Sequence, residues 1–404
     1  MSRLRVTLLV LAVLLAGCSP TPVSPTSSRS VPSPQTTNAS PSANERPALD
    51  VEIVSSELED GWDIGFLPDG RALVTERAGR VTMLSSTRAG ALATAVEMDL
   101  SGVYARGEGG LMGLVVHPDF AQSRLFTTCL NFSEGGTPVD IRLVTWRLSE
   151  NGASADKVKD LLTGLPRNVS GRHSGCRPTL AADGALLVGT GDTADGRIPQ
   201  DLTSLGGKVL RIDLSTGEGL PDNPFADATD AHQRRIYTYG HRNVQGVAVR
   251  PGTGQVFTAE HGPAVDDEVN LLTSGGNYGW DPSRGGTVGG YDESVPMTDR
   301  TRFPDAIPAV WSSGDPTEAI CALAFMSGKA WGSLDGTLAV TALKGSKLLL
   351  LTLDAAGAVV RTEVAEELNG LGRLRAARLG PDGALYVTTS NGTGDRVLRI
   401  APQP

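Results

Sequence analysis

Short β-rich apolar runs recur along the chain from Val51 onward, each introduced by a tight polar turn. Pro68-Asp-Gly70 precedes Ala72-Leu-Val-Thr75 and Arg80-Val-Thr-Met-Leu84, and Ala182-Asp-Gly184 precedes Ala185-Leu-Leu-Val188 and, later, Lys208-Val-Leu-Arg-Ile212. Leu334-Asp-Gly336 leads into Thr337-Leu-Ala-Val340 and Lys347-Leu-Leu-Leu-Leu351. Pro381-Asp-Gly383 leads into Ala384-Leu-Tyr-Val387 and Arg396-Val-Leu-Arg-Ile400. His117-Pro-Asp-Phe120 and Pro251-Gly-Thr-Gly254 hold the same relative place in two further units. An Asp-Gly turn between β-rich runs is a hairpin signal. Six units recur at intervals of roughly 50–80 residues, in or above the range of propeller blades. A lone strand pair exposes a face it cannot bury, and radial packing of blades removes the problem. The pattern therefore predicts an all-β, six-bladed β-propeller over residues 49–404, with Val397–Ile400 sharing a blade with the first strand near Val51. Two separate β-sandwiches would need a linker near the middle, and the sequence has none.

The first residues follow another logic. Arg3 and Arg5 precede a largely apolar stretch, Val6–Ala16, which ends in Gly17-Cys18. Two cations, a short apolar run and small residues are the parts of a secretory signal, and the run is too short to span a bilayer. Leu15-Ala16-Gly17-Cys18 resembles the bacterial lipobox, in which the cysteine is acylated; a plain signal peptide with an incidental cysteine is the alternative. Residues 1–18 are thus expected to be a lipoprotein signal. Residues 19–48, rich in Ser, Pro and Thr, cannot offset their ordering entropy and are expected to form a disordered linker. The propeller is then exported and held at the cell membrane or outer membrane, facing the periplasm or exterior, by its lipid alone.

Composition narrows the partners. Gly 49 and Pro 25 suit a turn-rich β protein. Hydrophobic residues at 40% and charged residues at 20% allow a sizeable core. Lys+Arg 36 against Asp+Glu 45 gives −9 with no basic tract, which argues against nucleic acid. Four cysteines show no zinc spacing and are too few for a disulfide scaffold.

Four polar segments exceed what turns require. Gly171-Arg-His-Ser-Gly-Cys-Arg177 is followed, one β-run later, by Gly189-Thr-Gly-Asp192. A histidine can act as base if a carboxylate fixes its tautomer, so His173 and Asp192 form a candidate pair, although either alone is more often structural. Gly240-His-Arg-Asn-Val-Gln-Gly246 places a fixed cation beside an amide, for oxyanion stabilisation or for interblade hydrogen bonding. Glu260-His-Gly-Pro263, continuing to Asp266-Asp267-Glu268 and Asn270, suggests Ca²⁺, or equally a solvated acidic loop. Lys344, Arg373 and Arg375 would, with Arg242, make a cation cluster suited to a polyanionic small ligand, with surface solvation as the plain alternative.

Taken in order, these segments resemble the soluble, pyrroloquinoline-quinone (PQQ)-dependent glucose/sorbosone, or aldose sugar, dehydrogenase family. Gly107-Glu-Gly-Gly-Leu-Met-Gly113, Gly207-Lys-Val-Leu-Arg-Ile212, Gly276-Asn-Tyr-Gly-Trp280 and Ala342-Leu-Lys344 complete the set, which runs over nearly all of Val51–Pro404. The resemblance implies oxidation of the anomeric carbon of an aldose to a lactone, with electrons passed to an external acceptor. It implies His173 as the base, Asp192 as the acid beside it, and Arg242 and Asn243 beside the quinone. It implies Lys344, Arg373 and Arg375 on the quinone's carboxylates, and Gly262 and Pro263 as carbonyl ligands of Ca²⁺. Glu108 occupies a cofactor-side position where some members carry Gln, and His261 one where Gln is common; Ala376-Ala377 stands where an Asp is frequent, and Cys176 replaces a Gly. These departures support a second reading, a non-catalytic surface propeller that binds or scaffolds. A third, a metal-dependent lactonase, needs a convergent carboxylate set that the sequence does not assemble. With Cys18 acylated, three cysteines remain in an oxidising compartment, and the expected arrangement is a Cys176–Cys321 bridge with Cys129 buried, against three free thiols.

Overall fold

The computed structural model of the chain describes residues 46–287 and 290–403. The signal-like segment, Cys18 and nearly all of the 19–48 tract lie outside the described residues. From Leu49 onward the chain forms a ring of six four-stranded antiparallel sheets, a six-bladed β-propeller. Blade 1 begins with Gly61–Phe66, blade 2 with Leu111–Val116, blade 3 with Gly175–Leu180, blade 4 with Val244–Val249, blade 5 with Ile320–Phe325 and blade 6 with Leu374–Leu379. Each of these first strands contacts the first strand of both neighbouring blades, so together they line the central channel.

Blade 6 is completed by the opposite end of the domain. Its outer strand is Leu49–Leu58, which pairs with Asp395–Pro402 in a register that sets Val51 opposite Ile400. The predicted shared blade is thus formed, and it closes the ring.

Strand alternation explains the packing. Along Lys347–Leu353 in blade 5, Leu348 and Leu350 meet Leu374, Ala377 and Leu385 of blade 6, while Leu349 and Leu351 meet Phe257, Ala259 and Val269 of blade 4. Successive side chains point to opposite faces, so a sheet buried on both sides reads as an unbroken apolar run. Each such fully buried leucine contributes roughly 1.5–3 kcal/mol.

The Asp-Gly turns all link the first strand of a blade to its second. Gly70, Gly184, Gly336 and Gly383 have φ between 76° and 88°, a region that glycine enters without strain. These turns therefore mark one end of the propeller. The opposite end is built from the beginnings of the first strands and the ends of the second strands.

A polar cluster crosses the channel. Asp63 in blade 1 takes Arg177 Nη1 of blade 3 at 3.0 Å, Arg378 Nη2 of blade 6 at 2.8 Å, and the amide of Leu114 in blade 2 at 3.2 Å. Burial alone would raise its carboxyl, but the guanidinium groups of Arg378 and Arg177 outweigh it and hold it below the usual carboxylate range. The Arg177 guanidinium also lies 4.2 Å over the Trp62 ring.

The cysteine pairing differs from the expected one. Cys129, in the second strand of blade 2, is bonded to Cys176 in the first strand of blade 3, and Cys321 is a buried free thiol. Cys176 packs among apolar residues between blades 2 and 3, with Leu143 and Leu186. Cys321 instead meets the channel groups, 3.7 Å from Arg177 Nη2 and 3.9 Å from Arg375 Nη1. The two side chains occupy different layers and cannot bridge. One bridge and one buried thiol are nevertheless present.

Candidate active site

The chain brings the sequence-predicted residues to the end opposite the Asp-Gly turns. His173, Arg242 and Arg373 precede the first strands of blades 3, 4 and 6, and Asp192, His261 and Lys344 follow the second strands of blades 3, 4 and 5. Gly191 permits the closest approach among them. A Cβ there would lie 1.9 Å from the carbonyl oxygen of His173, so only glycine lets these two strand ends meet.

His173 and Asp192 form a buried pair. Asp192 Oδ1 accepts from His173 Nδ1 at 2.7 Å and from the amide of Ala194 at 2.8 Å. Its Oδ2 accepts from Trp280 Nε1 at 2.8 Å and from the Tyr291 hydroxyl at 2.7 Å. Four donors on one carboxylate fix its position, and the carboxylate fixes Nδ1 as the protonated nitrogen of His173. Nε2 is left as the basic atom. His173 itself has φ 49°, an unusual conformation for a non-glycine residue of the kind that clusters at functional sites. Burial, with the charge of Asp192, pushes the Tyr291 phenol upward, so it stays a donor.

Arg242 lies beside this pair. Its Nη1 donates to the His261 carbonyl at 2.9 Å, its Nη2 to Glu293 Oε1 at 2.6 Å, and its guanidinium is 5.7 Å from the Trp280 ring centroid. Its Nε is buried without a protein partner among the described residues. Glu108 bridges blades 2, 3 and 4, accepting from Asn243 Nδ2 at 3.1 Å and from the Ser174 amide. Its charge thus meets donors. Burial lowers the proton affinity of His261, whose Nε2 is a second buried nitrogen without a protein partner among the described residues.

The remaining cations differ in burial. Arg375 is buried, with Nε 3.4 Å from Ser390 Oγ, whereas Lys344 and Arg373 are exposed. Among the described residues none of the three has a carboxylate within 4.0 Å. Lys344, Arg373 and Arg375 thus lie at the site end of the propeller without an acidic partner among the described residues.

The acidic loop is internally organised. Asp267 Oδ1 accepts from the Gly262 amide at 2.9 Å and Thr317 Oγ1 at 2.7 Å, while Oδ2 accepts from the Glu318 amide at 2.7 Å. Asp266 takes Ser312 Oγ, and Glu268 takes Thr298 Oγ1. The three acids therefore face different protein groups. The carbonyls of Gly262 and Pro263 accept no hydrogen bond among the described residues. A Cβ on Gly262 would strike the Val265 carbonyl oxygen at 2.0 Å, so this fold of the loop requires glycine.

Beside the His173–Asp192 pair lies a cleft of about 750 Å³, with Thr193, Arg197, Ser283 and Tyr291 on its walls. That volume suits a small-molecule ligand.

Comparison with known proteins is decisive for the family. The family model described as Glucose / Sorbosone dehydrogenase matches residues 58–399. The chain belongs to this family. The aldose sugar dehydrogenase YliI of Escherichia coli strain K12 is 31% identical over 366 residues, covering 88% of this chain and 93% of that protein. Quinoprotein glucose dehydrogenase B of Acinetobacter calcoaceticus is 30% identical over 258 residues, 57% of this chain and 52% of that protein. The PQQ-bound aldose sugar dehydrogenase of Streptomyces coelicolor is 29% identical, with a TM-score of 0.69, covering 89% of this chain and all of that structure (100%).

Within this member of the glucose/sorbosone dehydrogenase family, motif reading found His173, Asp192, Arg242, Asn243 and Glu108, which the fold brings into one bonded group. It missed Tyr291 and Glu293, and quoted Trp280 without a role. All three lie in the long excursion between the third and outer strands of blade 4. An isolated aromatic residue and an acid in a Gly-rich stretch carry no local signal of what they reach.

Proposed function

We propose that this chain is a PQQ-dependent aldose dehydrogenase that oxidises the anomeric carbon of sugars to lactones outside the membrane and passes the electrons to an external acceptor. The observation that carries the reading is the buried His173–Asp192 pair, whose Nε2 has no hydrogen-bond partner among the described residues, at the same end as three cations that have no acid beside them among those residues. Lys344, Arg373 and Arg375 suit the carboxylates of the quinone, and the unpartnered Nε of Arg242 adds a buried donor. The unengaged carbonyls of Gly262 and Pro263 suit Ca²⁺, which takes backbone oxygen ligands. When bound, the quinone supplies the hydride acceptor and Ca²⁺ the Lewis acidity that protein side chains lack.

The chain's own part is proton and charge management. His173 Nε2 takes the proton of the anomeric hydroxyl, and Asp192 stabilises the resulting imidazolium without moving. Trp280 and Tyr291 hold Asp192, and Arg242 supplies fixed positive charge. Cys176 is turned into the core between blades 2 and 3 and leaves the site open. Acylation at Cys18 and the 19–48 linker would tether the propeller to the membrane; Cys18→Ser should move the full chain from the detergent phase to the aqueous phase on partitioning.

The test is titration of the purified chain with PQQ and Ca²⁺, followed by an aldose panel with a dye acceptor. His173→Ala should lower dye reduction by about 10²- to 10⁴-fold while Ca²⁺-dependent quinone binding survives. Undiminished activity in that variant would remove His173 as the base.

A further inference from the structure

Glu293 differs from the other acids of the site. Its Oε1 takes two guanidinium groups at once, 2.6 Å from Arg242 Nη2 and 3.0 Å from Arg172 Nη2, whereas its Oε2 accepts no hydrogen bond among the described residues. The side chain is 40% exposed, against 5% for Arg242 and 0% for Asp192. It is tied to the base from both sides. Arg172 is the chain neighbour of His173, and Tyr291, two residues before Glu293, has its hydroxyl 3.2 Å from His173 Nδ1. Burial would raise the carboxyl, but the bond and charge of Arg242 outweigh it and keep the group ionised. A carboxylate with one oxygen fixed by two cations and the other open is built to accept, and beside a sugar the donors on offer are hydroxyls.

We infer that Glu293 is a specificity-determining residue that accepts a hydrogen bond from the sugar hydroxyl next to the anomeric carbon, so that the site favours aldoses with a free 2-hydroxyl over their 2-deoxy counterparts. The inference rests on the aldose-oxidising reading. With the anomeric hydroxyl on His173, the 2-hydroxyl is one carbon away and is the nearest further donor on the ring. A bond to a charged acceptor is stronger than one between neutral groups, and a site made for a hydroxyl discriminates against the analogue that lacks it.

The experiment compares D-glucose with 2-deoxy-D-glucose in wild type, Glu293→Ala and Glu293→Gln. Binding is read by calorimetry with Ca²⁺ and reduced quinone present, so that no turnover occurs, and KM is read with the dye acceptor. Wild type should bind glucose about 10- to 100-fold more tightly than the deoxy sugar. Glu293→Ala should erase that preference by weakening glucose alone, and Glu293→Gln should keep part of it, because the amide oxygen still accepts. A residue that only bridges Arg242 and Arg172 would weaken both sugars alike; that result, or no preference in wild type, overturns the inference. Preference in binding without any dye reduction would overturn the aldose-oxidising reading and leave the sugar-recognition role of Glu293 standing. Absence of binding by either sugar overturns both.

Discussion

Asp192 accepts four hydrogen bonds, and each comes from a different kind of group: an imidazole, an indole, a phenol and a backbone amide. The phenol is the informative one. Tyr291 donates to Oδ2 and so helps to hold the carboxylate that orients His173. In Tyr291→Phe the carboxylate keeps Trp280 and Ala194 but loses one of the four donors that fix it. The expected outcome is a fall of about tenfold in kcat with KM little changed. An unchanged kcat would reduce Tyr291 to packing. Local sequence made the pair itself legible, because a Gly-flanked histidine and a Gly-flanked aspartate one β-run apart are brought together by the hairpin geometry of a single blade. Tyr291 and Glu293 reach the site from a long excursion of blade 4, where neither period nor turn chemistry encodes a destination.

Among the elements, the second and third strands of blades 1, 3, 5 and 6 were the most legible, since Asp-Gly turns and apolar runs mark them directly. The first strands were harder to read. Trp62-Asp63 and Cys176-Arg177 mix apolar with charged residues because one side lines the channel and the other enters an interblade core. That same division decides the cysteines. Cys176 belongs to the interblade layer with Cys129, and Cys321 to the channel layer with Arg177 and Arg375. Counting cysteines gave one bridge and one thiol, but partner choice depends on which way each strand faces, and that is not written locally. The Cys129–Cys176 bond joins blade 2 to blade 3 across 47 residues of chain. Its reduction, or the Cys129→Ser/Cys176→Ser double variant, should lower unfolding free energy by about 2–4 kcal/mol, read from denaturant midpoints. Peptide mapping of the unfolded, unreduced chain from residue 49 onward should find Cys321 alone alkylated.

For the whole molecule, the ring is held by an apolar layer between every pair of blades and by one carboxylate near its axis. Asp63 joins side chains of blades 3 and 6 and a backbone amide of blade 2 to its own blade 1. Replacing it by Asn leaves Arg177 and Arg378 without their anion, and the expected loss at pH 7 is about 3–5 kcal/mol. The sign with pH comes from the lowered carboxyl. In wild type the stabilisation is complete above the unfolded value of about 4 and is lost as pH falls through the folded value. Asp63→Asn should therefore be less stable than wild type at pH 7, with the difference narrowing on acidification; urea melts at pH 7 and pH 3 read both. A gap that stays constant with pH would assign the loss to packing instead.

The pairing of Val51 with Ile400 also sets a clock. A growing chain can assemble the hairpins of blades 1 to 5 as they emerge, but the strand Leu49–Leu58 must wait, unpaired, for a partner made after all of them. Until then the circle stays open and its earliest strand offers unsatisfied backbone groups to whatever is near. A ribosome that stops a few residues short of Asp395 would release a product with nearly all of the propeller's hairpins and no closed ring, so the strand Asp395–Pro402 acts as the quality check on the blades made before it.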